Sequence, residues 1–493
     1  MHNLCAYRGL FLYSSLNFWR SNKLSVQNKA EIVIETIMGD LFTPISLFKK
    51  LNASKKFLFE SSFKHKDSGR YSFVGSKPAF ELIGTNQSGQ IIYKNGKKEE
   101  FVGNPLLKLK ELIPKQDYLE VLDIPFIGGG IGYVGYDMIR QFEEIGDELE
   151  DVIGMPDLHL MFFEVIIVFD HLEQKIHLVG TKLSDETTLE DLKSEIQKYK
   201  QVILSNSNQE EEVKPVVFST FESEVSKSDY ISKVEEAKSF IQKGDIFQVV
   251  LSHRMGAKFE GNPFDYYRKL RIQNPSPYMY YIDFGDSVVA GTSPESLIKV
   301  KDNQVITNPI AGTKRRGKTD VQDLMIERDL LQDEKELAEH KMLVDLGRND
   351  LGKVCEFGTI KLEKYMTVEK YKYVMHIVSE VSGQLKKPHT SLDALIACLP
   401  AGTVSGAPKI RAMEIINELE SSKRGVYSGA VGYVSVNGNL DFALAIRTMI
   451  LKNQMAYIQA GAGIVYDSKP EHEYEETINK LKAFLEENHD FNN

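Results

Sequence analysis

Short runs of hydrophobic residues dominate residues 32–204. Runs such as 56–59 and 164–169 are rich in aromatic and β-branched side chains and are separated by turn residues. This pattern is typical of short strands. Residues 205–215 are polar, acidic and without periodicity, so we predict a linker or surface loop and place a domain boundary there.

Helical periodicity begins soon after this segment. The apolar residues that follow Ser228 and Asp229 recur at helical spacing as far as Gly244. Either polar residue is a suitable N-cap, and the glycine is a suitable end. The pattern therefore predicts a helix that starts at Ser228 or Asp229.

A strand pattern follows at residues 246–251 and places Gln248 on the same face as Ile246 and Val250. An amide on an apolar face indicates a cleft or a buried polar partner. Later patterns predict one or two helices within residues 320–346, a strand at 442–451 and a terminal helix at 471–485.

Length and charge narrow the class of protein. With 493 residues, the chain exceeds what one hydrophobic core usually supports. Its net charge of −10 disfavours general binding to nucleic acid or to an anionic membrane, because both attract basic surfaces. No run approaches the roughly 18 apolar residues that span a bilayer. Small molecules and other proteins are therefore the expected partners.

The three cysteines, Cys5, Cys355 and Cys398, are far apart and show no C-x-x-C spacing. Neither a disulfide framework nor a thiolate metal site is indicated, and a reducing cytoplasm fits this usage. Residues 9–19 look like a short signal segment, but polar residues interrupt them and no clear small-residue cleavage site follows. We treat residues 1–29 as an N-terminal extension of unknown role.

A glycine-rich segment at residues 130–135 satisfies the bare G-x-G-x-x-G dinucleotide pattern, and Glu150 lies near the distance expected of a ribose-binding acid. A dinucleotide site also needs a strand before the glycines and βαβ units after them. Pro125 and further glycines precede the segment, and β-like sequence follows it. A packed glycine turn is the better interpretation.

Two acidic helical patterns carry the strongest chemical signal. Glu336 and Glu339 are three residues apart and share one helix face, and Glu473 and Glu476 do the same, with Lys480 one turn further on. Two such helices bring together hard oxygen ligands of the kind that Mg²⁺ prefers. From spacing alone, two solvated acidic faces remain the alternative.

Anion binding is suggested at two further places. Residues 459–463 contain Gly461 and Gly463, whose lack of a Cβ allows backbone N–H groups to approach a carboxylate closely, and we predict a loop there. Arg447 ends an apolar strand pattern and offers a planar fork for a carboxylate. A plain turn and a solvated charge remain the alternatives. The basic residues 314–318 are most simply an exposed turn.

Seven segments together resemble the chorismate-utilising enzymes and, among them, the anthranilate synthase component I family, over most of the chain from about residue 30. These segments are residues 246–252, 274–279, 292–295, 309–313, 336–350, 400–408 and 459–463. The resemblance implies a two-domain α+β fold, with large, mainly antiparallel β-sheets and helices packed outside. It divides the chain into an N-terminal domain with a regulatory contribution (30–204), a linker or loop (205–215) and a chorismate-binding catalytic domain (216–493).

By this resemblance, Glu339 and Glu476 are Mg²⁺ ligands, supported by Glu336 and Glu473. Glu295 is the family's candidate general acid for departure of the ring hydroxyl, a role that needs a protonated carboxyl in a dry cleft. His376, Thr403 and Gln248 match other catalytic positions. The residues that would bind substrate are Gly312, Thr313, Tyr427, Arg447, Gly461, Ala462, Gly463 and Lys480.

Two positions distinguish the members of the family. Isochorismate and salicylate synthases carry a lysine base where this chain has Gln248, and an amide cannot take a proton from water. Aminodeoxychorismate synthases typically carry a lysine where this chain has Ala311, and a methyl group cannot act as a nucleophile. The resemblance therefore implies a lyase that converts chorismate and ammonia to anthranilate and pyruvate, the first committed step of tryptophan biosynthesis.

Ammonia must come from a partner under this interpretation, because no cysteine lies in a G-x-C-x-G setting typical of a glutamine amidotransferase. A separate glutaminase subunit is implied. An aminodeoxychorismate synthase component I and a non-catalytic amino-acid-binding regulator on the same scaffold remain alternatives. The chain also has Lys314-Arg315-Arg316 where relatives often have Arg-Pro-Arg after the Gly-Thr pair.

Residues 57–61 and 274–279 resemble the family's site for feedback inhibition by L-tryptophan. Phe59 departs from the usual Leu-Leu-Glu-Ser pattern, which affects the expected shape of the pocket. The resemblance gives tryptophan-binding roles to Glu60, Ser61, Pro277, Tyr278 and Met279. Because these segments lie on both sides of the predicted boundary, we expect tryptophan to bias the arrangement of the two domains.

Overall fold

The computed structural model describes residues 32–62, 69–113, 123–184, 186–205, 215–371 and 374–485, apart from the side chains of 483–485. The predicted extension at 1–29 and most of the predicted linker at 205–215 lie outside these residues. In the described ranges, the helices are α1 Pro44–Lys50, α2 Pro105–Leu112, α3 Leu189–Leu204, α4 Lys227–Lys243, α5 Pro263–Gln273, α6 Asp320–Leu330, α7 Glu334–Gly352, α8 Ser391–Cys398, α9 Lys409–Leu419 and α10 Pro470–Leu485, with 3₁₀ turns at Tyr136–Gln141 and Gly402–Val404.

The strands form two large sheets. In chain order they are β1 Ile32–Met38, β2 Lys56–Glu60, β3 Tyr71–Ser76, β4 Phe80–Thr85, β5 Ser88–Tyr93, β6 Lys98–Val102, β7 Gly129–Val134, β8 Leu158–Phe163, β9 Val165–Asp170, β10 Lys175–Thr181, β11 Val217–Phe218, β12 Glu222–Ser223, β13 Gln248–Glu260, β14 Tyr278–Asp283, β15 Ser287–Ser293, β16 Ser296–Lys301, β17 Gln304–Thr307, β18 Ile310–Arg315, β19 Lys361–Lys370, β20 Val374–Gln384, β21 Gly406–Ala407, β22 Ala430–Ser435, β23 Leu440–Leu444, β24 Thr448–Lys452 and β25 Met455–Ile464.

The first sheet has the order β1-β10-β9-β3-β2-β14-β15-β24-β25-β13-β11, with β12 and β21 also paired to β13. The second has the order β18-β20-β17-β16-β23-β22-β7-β8-β4-β5-β6, with β19 paired to β20. Both contain strands from either side of residues 205–215. In the first sheet Glu60 pairs with Met279, and in the second Gly132 pairs with Gly432, both in antiparallel register. The predicted domain division itself stays a prediction.

The core lies between the two sheets and on their outer faces. Phe57 of the first sheet packs against Phe163 of the second, with 4.8 Å between ring centroids. Helices α1, α3 and α5 cover the outer face of the first sheet, and α2, α7 and α8 cover that of the second. Burying one face of each helix against a sheet is the usual way to close such layers. This confirms the predicted α+β fold with helices outside antiparallel sheets.

Of three local predictions, two change in the structure and one is confirmed. The cap of α4 is Ser226, not Ser228 or Asp229, because the Ser226 hydroxyl accepts the hydrogen bond from the backbone N–H of Asp229. The predicted end at Gly244 is confirmed, since this residue has a left-handed φ of 85° that suits glycine. The predicted strand at 246–251 is confirmed only from Gln248, where the longer strand β13 begins, because residues 246 and 247 precede that strand.

The single strand predicted at 442–451 is two strands. β23 belongs to the second sheet and β24 to the first, so the chain passes between the sheets at residues 445–447. Arg447, at this crossing, has a φ of 49° that no continuous strand permits. The predicted loop at 459–463 is also wrong, because these residues lie inside β25 and pair with β13.

The glycine turn predicted at 130–135 is wrong, because residues 130–134 lie in β7, which pairs antiparallel with β8 and β22. A Cβ at Gly132 would lie 1.9 Å from the carbonyl oxygen of His159, so glycine here permits close backbone packing. The antiparallel pairing of β7 excludes the parallel βαβ setting of a dinucleotide site.

None of the described helices combines the length and apolar character needed to cross a bilayer.

Candidate active site

One wall of the site is formed by the adjacent strands β13 and β25. Gln248 begins β13 and is only 4% exposed. Its Nε2 donates a hydrogen bond of 3.0 Å to Oε1 of Glu339 on α7, whereas its own Oε1 is buried and has no hydrogen-bond partner among the described residues. The amide therefore has one acceptor atom available in the site.

The glycines of β25 leave room for side chains from neighbouring segments. A Cβ at Gly463 would lie 2.6 Å from Nε2 of Gln248, and a Cβ at Gly461 would lie 3.0 Å from the hydroxyl of Tyr427. Ala462, between them, packs in a hydrophobic cluster, as strand alternation requires. The structure thus brings Gly461 and Gly463 to the site, while the Ala462 side chain points into the core.

Glu295 lies between β15 and β16, and its carboxyl is buried. Thr403, in the 3₁₀ turn Gly402–Val404, donates a 2.8 Å hydrogen bond to Oε1 of Glu295. Burial raises the pKa of Glu295 to about 7, although this hydrogen bond and the charge of Lys480 favour the ionised form. A carboxyl with this pKa is available in both protonation states near neutral pH, which suits proton transfer.

His376 on β20 lies beside Thr313 on β18, with 2.9 Å between its Nδ1 and the threonine hydroxyl. Burial and, to a smaller extent, the charge of nearby Arg447 lower the pKa of His376 to about 4. The imidazole is therefore neutral at pH 7. Tyr371 packs edge-on against it, with ring centroids 5.3 Å apart.

Arg447 is half-buried beside His376 and Tyr371. Burial lowers the pKa of Arg447, because the charged guanidinium loses solvation. Within the described part of the chain, no carboxylate forms an ion pair with it. A partly desolvated guanidinium without an anionic partner is suited to a substrate carboxylate.

The four predicted metal-binding glutamates lie on two neighbouring helices. Burial raises the pKa of Glu336 on α7, and the charges of Glu339 and Asp333 raise it further. Burial also raises the pKa of Glu473 on α10, as does the charge of Glu476. The positive charge of Lys335 on α7 lowers the pKa of Glu473, so the two helices lie close together.

These carboxylates suit a hard divalent cation, since each helix holds a repelling pair whose charge a cation would offset. Glu476 forms a 2.8 Å ion pair with Lys480, whose Nζ also donates a 2.8 Å hydrogen bond to the carbonyl of Gly461. A Cβ at Gly312 would lie 3.2 Å from Oε2 of Glu336. Among the described residues, no three His, Cys, Asp or Glu side chains form a ready-made metal cluster.

A second cavity, which is open to solvent, contains the predicted tryptophan-binding residues Glu60, Ser61, Pro277, Tyr278 and Met279 in its lining. Both oxygens of Glu60 are already engaged, because Arg271 donates to them at 2.8 and 2.9 Å and Tyr267 donates at 3.0 Å. An ammonium ligand would have to compete with this ion pair.

Several residues of both sites carry no local sequence signal. Asp441 lines the second cavity and accepts a 2.9 Å hydrogen bond from Tyr278, and Tyr433 adds an aromatic ring. Tyr371 in the first site follows the end of β19. Asp441 and Tyr433 are distant in sequence from Tyr278, so only the sheet order reveals their position, whereas Tyr371 lies close to His376 in the chain but belongs to no motif.

Comparison with known proteins defines the class. A family model described as chorismate binding enzyme matches residues 55–486. The chain therefore belongs to the chorismate binding enzymes, which confirms the resemblance found in the sequence.

Individual relatives are more specific. The chain is 46% identical over 455 residues to anthranilate synthase component 1 of Lactococcus lactis subsp. lactis (strain IL1403), covering 92% of this chain and 98% of that protein. It is 45% identical over 466 residues to anthranilate synthase component 1 of Acetivibrio thermocellus, covering 91% and 93%. The crystal structure of anthranilate synthase component I from Streptococcus pneumoniae TIGR4 matches with a TM-score of 0.77 at 46% identity, covering 90% of this chain and 98% of that one. Within the chorismate binding enzymes, the chain is a member of the anthranilate synthase component 1 group.

Proposed function

We propose that the protein is the chorismate-using subunit of an anthranilate synthase. It converts chorismate and ammonia to anthranilate, pyruvate and water. The observation that carries this proposal is the Gln248 amide, bonded to Glu339 through Nε2 and holding a free Oε1. An amide oxygen accepts a hydrogen bond from ammonia but cannot deprotonate water, so ammonia is the favoured nucleophile.

Glu295 protonates the ring hydroxyl, which leaves as water when ammonia adds to the ring. Its pKa of about 7 and its hydrogen bond from Thr403 support this role, because a protonated carboxyl must persist near neutral pH. Loss of pyruvate then requires removal of a ring proton. The neutral His376, oriented by Thr313, is suited to accept or relay a proton.

Binding groups surround these two residues. Arg447, Lys480, Tyr427 and the backbone of Gly461 and Gly463 are suited to the two carboxylates of chorismate. Burial raises the pKa of Tyr427 to about 12, so its hydroxyl stays a neutral hydrogen-bond donor. Gly312 and Thr313 close another side of the pocket.

Mg²⁺ is part of the proposal. Glu339 and Glu476 would hold the ion, supported by Glu336 and Glu473, and the ion would supply positive charge that binds and polarises a substrate carboxylate. The mutual repulsion within each glutamate pair supports this assignment.

A glutamine amidotransferase subunit supplies ammonia in this proposal. The two described cysteines, Cys355 and Cys398, are buried, and burial raises the pKa of both thiols, Cys355 to about 11. Such thiols are poor nucleophiles. We place the protein in the cytoplasm, in keeping with this use of cysteine.

The test is a fluorescence assay for anthranilate with the purified chain, chorismate and Mg²⁺. Ammonium at high pH, where free NH₃ is abundant, should support synthesis, and glutamine should not. Absence of anthranilate with ammonium would reject the enzyme proposal. Synthesis from glutamine by the single chain would reject the separate glutaminase.

We also propose that L-tryptophan inhibits the enzyme from the second cavity. The aromatic lining of this cavity, including Tyr278 and Tyr433, suits an indole. Because β2 and β14 meet in this cavity, residues 30–204 would contribute to regulation and residues 216–493 to catalysis.

A further inference from the structure

Arg424 and Glu420 form a buried ion pair next to Tyr427 of the proposed site, and the pair contacts no proposed catalytic carboxyl. Arg424 is only 1% exposed. Its Nε and Nη2 donate hydrogen bonds of 2.8 and 2.6 Å to the two oxygens of Glu420, which follows α9. A bidentate pair of this kind fixes the plane of the guanidinium.

The remaining N–H groups of Arg424 reach two other segments. Nη1 donates 2.7 Å to the carbonyl of Val404, and Nη2 donates 2.7 Å to the carbonyl of Val250. The guanidinium carbon lies 5.8 Å from the ring centroid of Tyr427, within cation–π range. One side chain thus joins β13, the 3₁₀ turn Gly402–Val404 and the segment that carries Tyr427.

Glu420 extends the same network. Its Oε1 accepts 2.9 Å hydrogen bonds from both the backbone N–H and the hydroxyl of Ser252. Ser252 pairs with Gly461 across β13 and β25. The ion pair is therefore also connected to the strand that carries the two site glycines.

Each of the three segments that Arg424 contacts carries a residue of the proposed site near the point of contact. Val250 is two residues from Gln248, and Val404 follows Thr403, which holds Glu295. The hydroxyl of Tyr427 packs against Gly461, where a Cβ would lie 3.0 Å from it. A lysine cannot replace these contacts, because its single ammonium lacks the planar fork that bonds several acceptors in fixed directions.

We propose that Arg424, held by Glu420, is a positioning residue that fixes Gln248, Thr403 and Tyr427 relative to one another for the reaction. This inference rests on the proposed function. If the ion pair served only stability, its loss would not lower kcat in a protein that still folds. Replacing both partners of a buried ion pair by apolar residues often leaves stability unchanged or improved, so the two roles can be separated.

The experiment uses the double variant Glu420→Leu/Arg424→Met in the full chain, with chorismate, Mg²⁺ and ammonium. We expect a melting temperature close to that of the wild type, a fall in kcat of at least about tenfold and weaker chorismate binding. Arg424→Lys should also fold and lose kcat, because it keeps the charge beside Glu420 but not the contacts with Val250 and Val404.

A change in pH dependence gives an independent readout. The Thr403 hydrogen bond holds the pKa of Glu295 down, so loosening the turn should raise this pKa and move the alkaline fall of kcat to higher pH. The matched control is Glu224→Leu/Arg254→Met. In this neighbouring pair, buried Arg254 on β13 lies 3.0 Å from exposed Glu224 and donates hydrogen bonds to Ser422 and Lys423, but it makes no hydrogen bond with Val250, Val404 or Tyr427.

Wild-type kcat and chorismate affinity in the folded double variant would overturn the positioning role. If that variant does not fold, Arg424→Lys decides, and unchanged kinetics and pH profile in it would overturn the role equally. An equal loss in the control pair would assign the effect to stability. A wild-type chain without anthranilate formation would reject the proposed function instead, and chorismate binding by the variants would still test the positioning.

Discussion

Thr403 donates a 2.8 Å hydrogen bond to Oε1 of Glu295, a carboxyl that burial holds at a pKa of about 7. The two residues are far apart in the chain and meet where the 3₁₀ turn Gly402–Val404 approaches the start of β16. The hydrogen bond favours the ionised carboxyl and burial favours the neutral one, and burial is the larger effect. This balance leads to the first two predictions.

If protonated Glu295 is the acid, kcat should fall as pH rises above about 7, approaching tenfold per pH unit. The measurement must hold the concentration of free NH₃ constant, because ammonia itself is more abundant at high pH. Glu295→Gln should lose roughly 10²–10⁴-fold in kcat and show no such titration. A flat profile for the wild type from pH 6 to about 9 would remove Glu295 from the acid role.

The same pKa predicts a change in stability. The folded chain keeps the Glu295 proton up to about pH 7, whereas an unfolded chain releases it near 4.5, so ionisation destabilises the fold as pH rises through this window. Glu295→Gln should therefore stabilise the protein at pH 8, by up to roughly 3 kcal/mol, and have little effect at about pH 4. Denaturant unfolding at the two pH values provides the comparison, and equal effects at both would contradict the raised pKa.

The glutamates of α7 and α10 give a metal-dependent prediction. Glu339→Gln and Glu476→Gln should each abolish Mg²⁺-dependent turnover while the fold remains intact, since an amide oxygen is a much weaker ligand for a hard cation. Turnover is measured against Mg²⁺ concentration, with circular dichroism as a check on folding. Glu475→Gln, on an exposed position of α10, is the control. Normal activity in both site variants would remove the metal assignment.

Gly463→Ala tests the position of the Gln248 amide. The added methyl would lie 2.6 Å from Nε2 of Gln248, so the amide must move and its 3.0 Å bond to Glu339 should break. We expect a loss of roughly 100-fold in kcat/KM, because a shift of about 1 Å in a reacting group is enough for such an effect. Gly256→Ala on the same strand pair meets atoms no closer than 3.5 Å and should retain activity. Unchanged kinetics in Gly463→Ala would argue against the role of Gln248.

Ser61→Arg should remove inhibition by tryptophan while leaving ammonium-dependent activity intact, because the larger side chain would fill part of the second cavity. Inhibition curves for wild type and variant provide the measurement. Ser88→Arg, on exposed β5, should keep the wild-type curve. Identical curves for wild type and Ser61→Arg would place the regulatory site elsewhere.

The sequence predicts those features that depend on local pattern or on family motifs. The terminal helix, the helical character of residues 320–346 and the end of α4 at Gly244 follow from periodicity and capping, although the pattern left one or two helices open where α6 and α7 lie. The strand at 442–451 is divided for a reason that periodicity cannot express, since β23 and β24 are both apolar but belong to different sheets. Ser226 replaces the predicted caps because the first turn begins before the apolar pattern does.

The candidate site shows the same limit. Motifs predict Glu295, Glu339 and Gln248, whereas spacing alone leaves the acidic pairs indistinguishable from solvated faces. The contacts made by Arg424 depend on atoms from three separate segments. Such contacts arise from sheet order, which a single sequence does not specify.

The pairing of Gly132 with Gly432 has a consequence for synthesis of the chain on the ribosome. When β7 emerges, the strand that will cover one of its edges has not yet been translated, and the same holds for β2 until β14 appears. Unpaired strand edges are the surfaces through which chains associate wrongly. The nascent protein must keep the edge of β2 from other chains until β14 emerges and the edge of β7 until β22 emerges near the end of translation, so its yield in the cell should depend on chaperone supply more than its final stability would indicate.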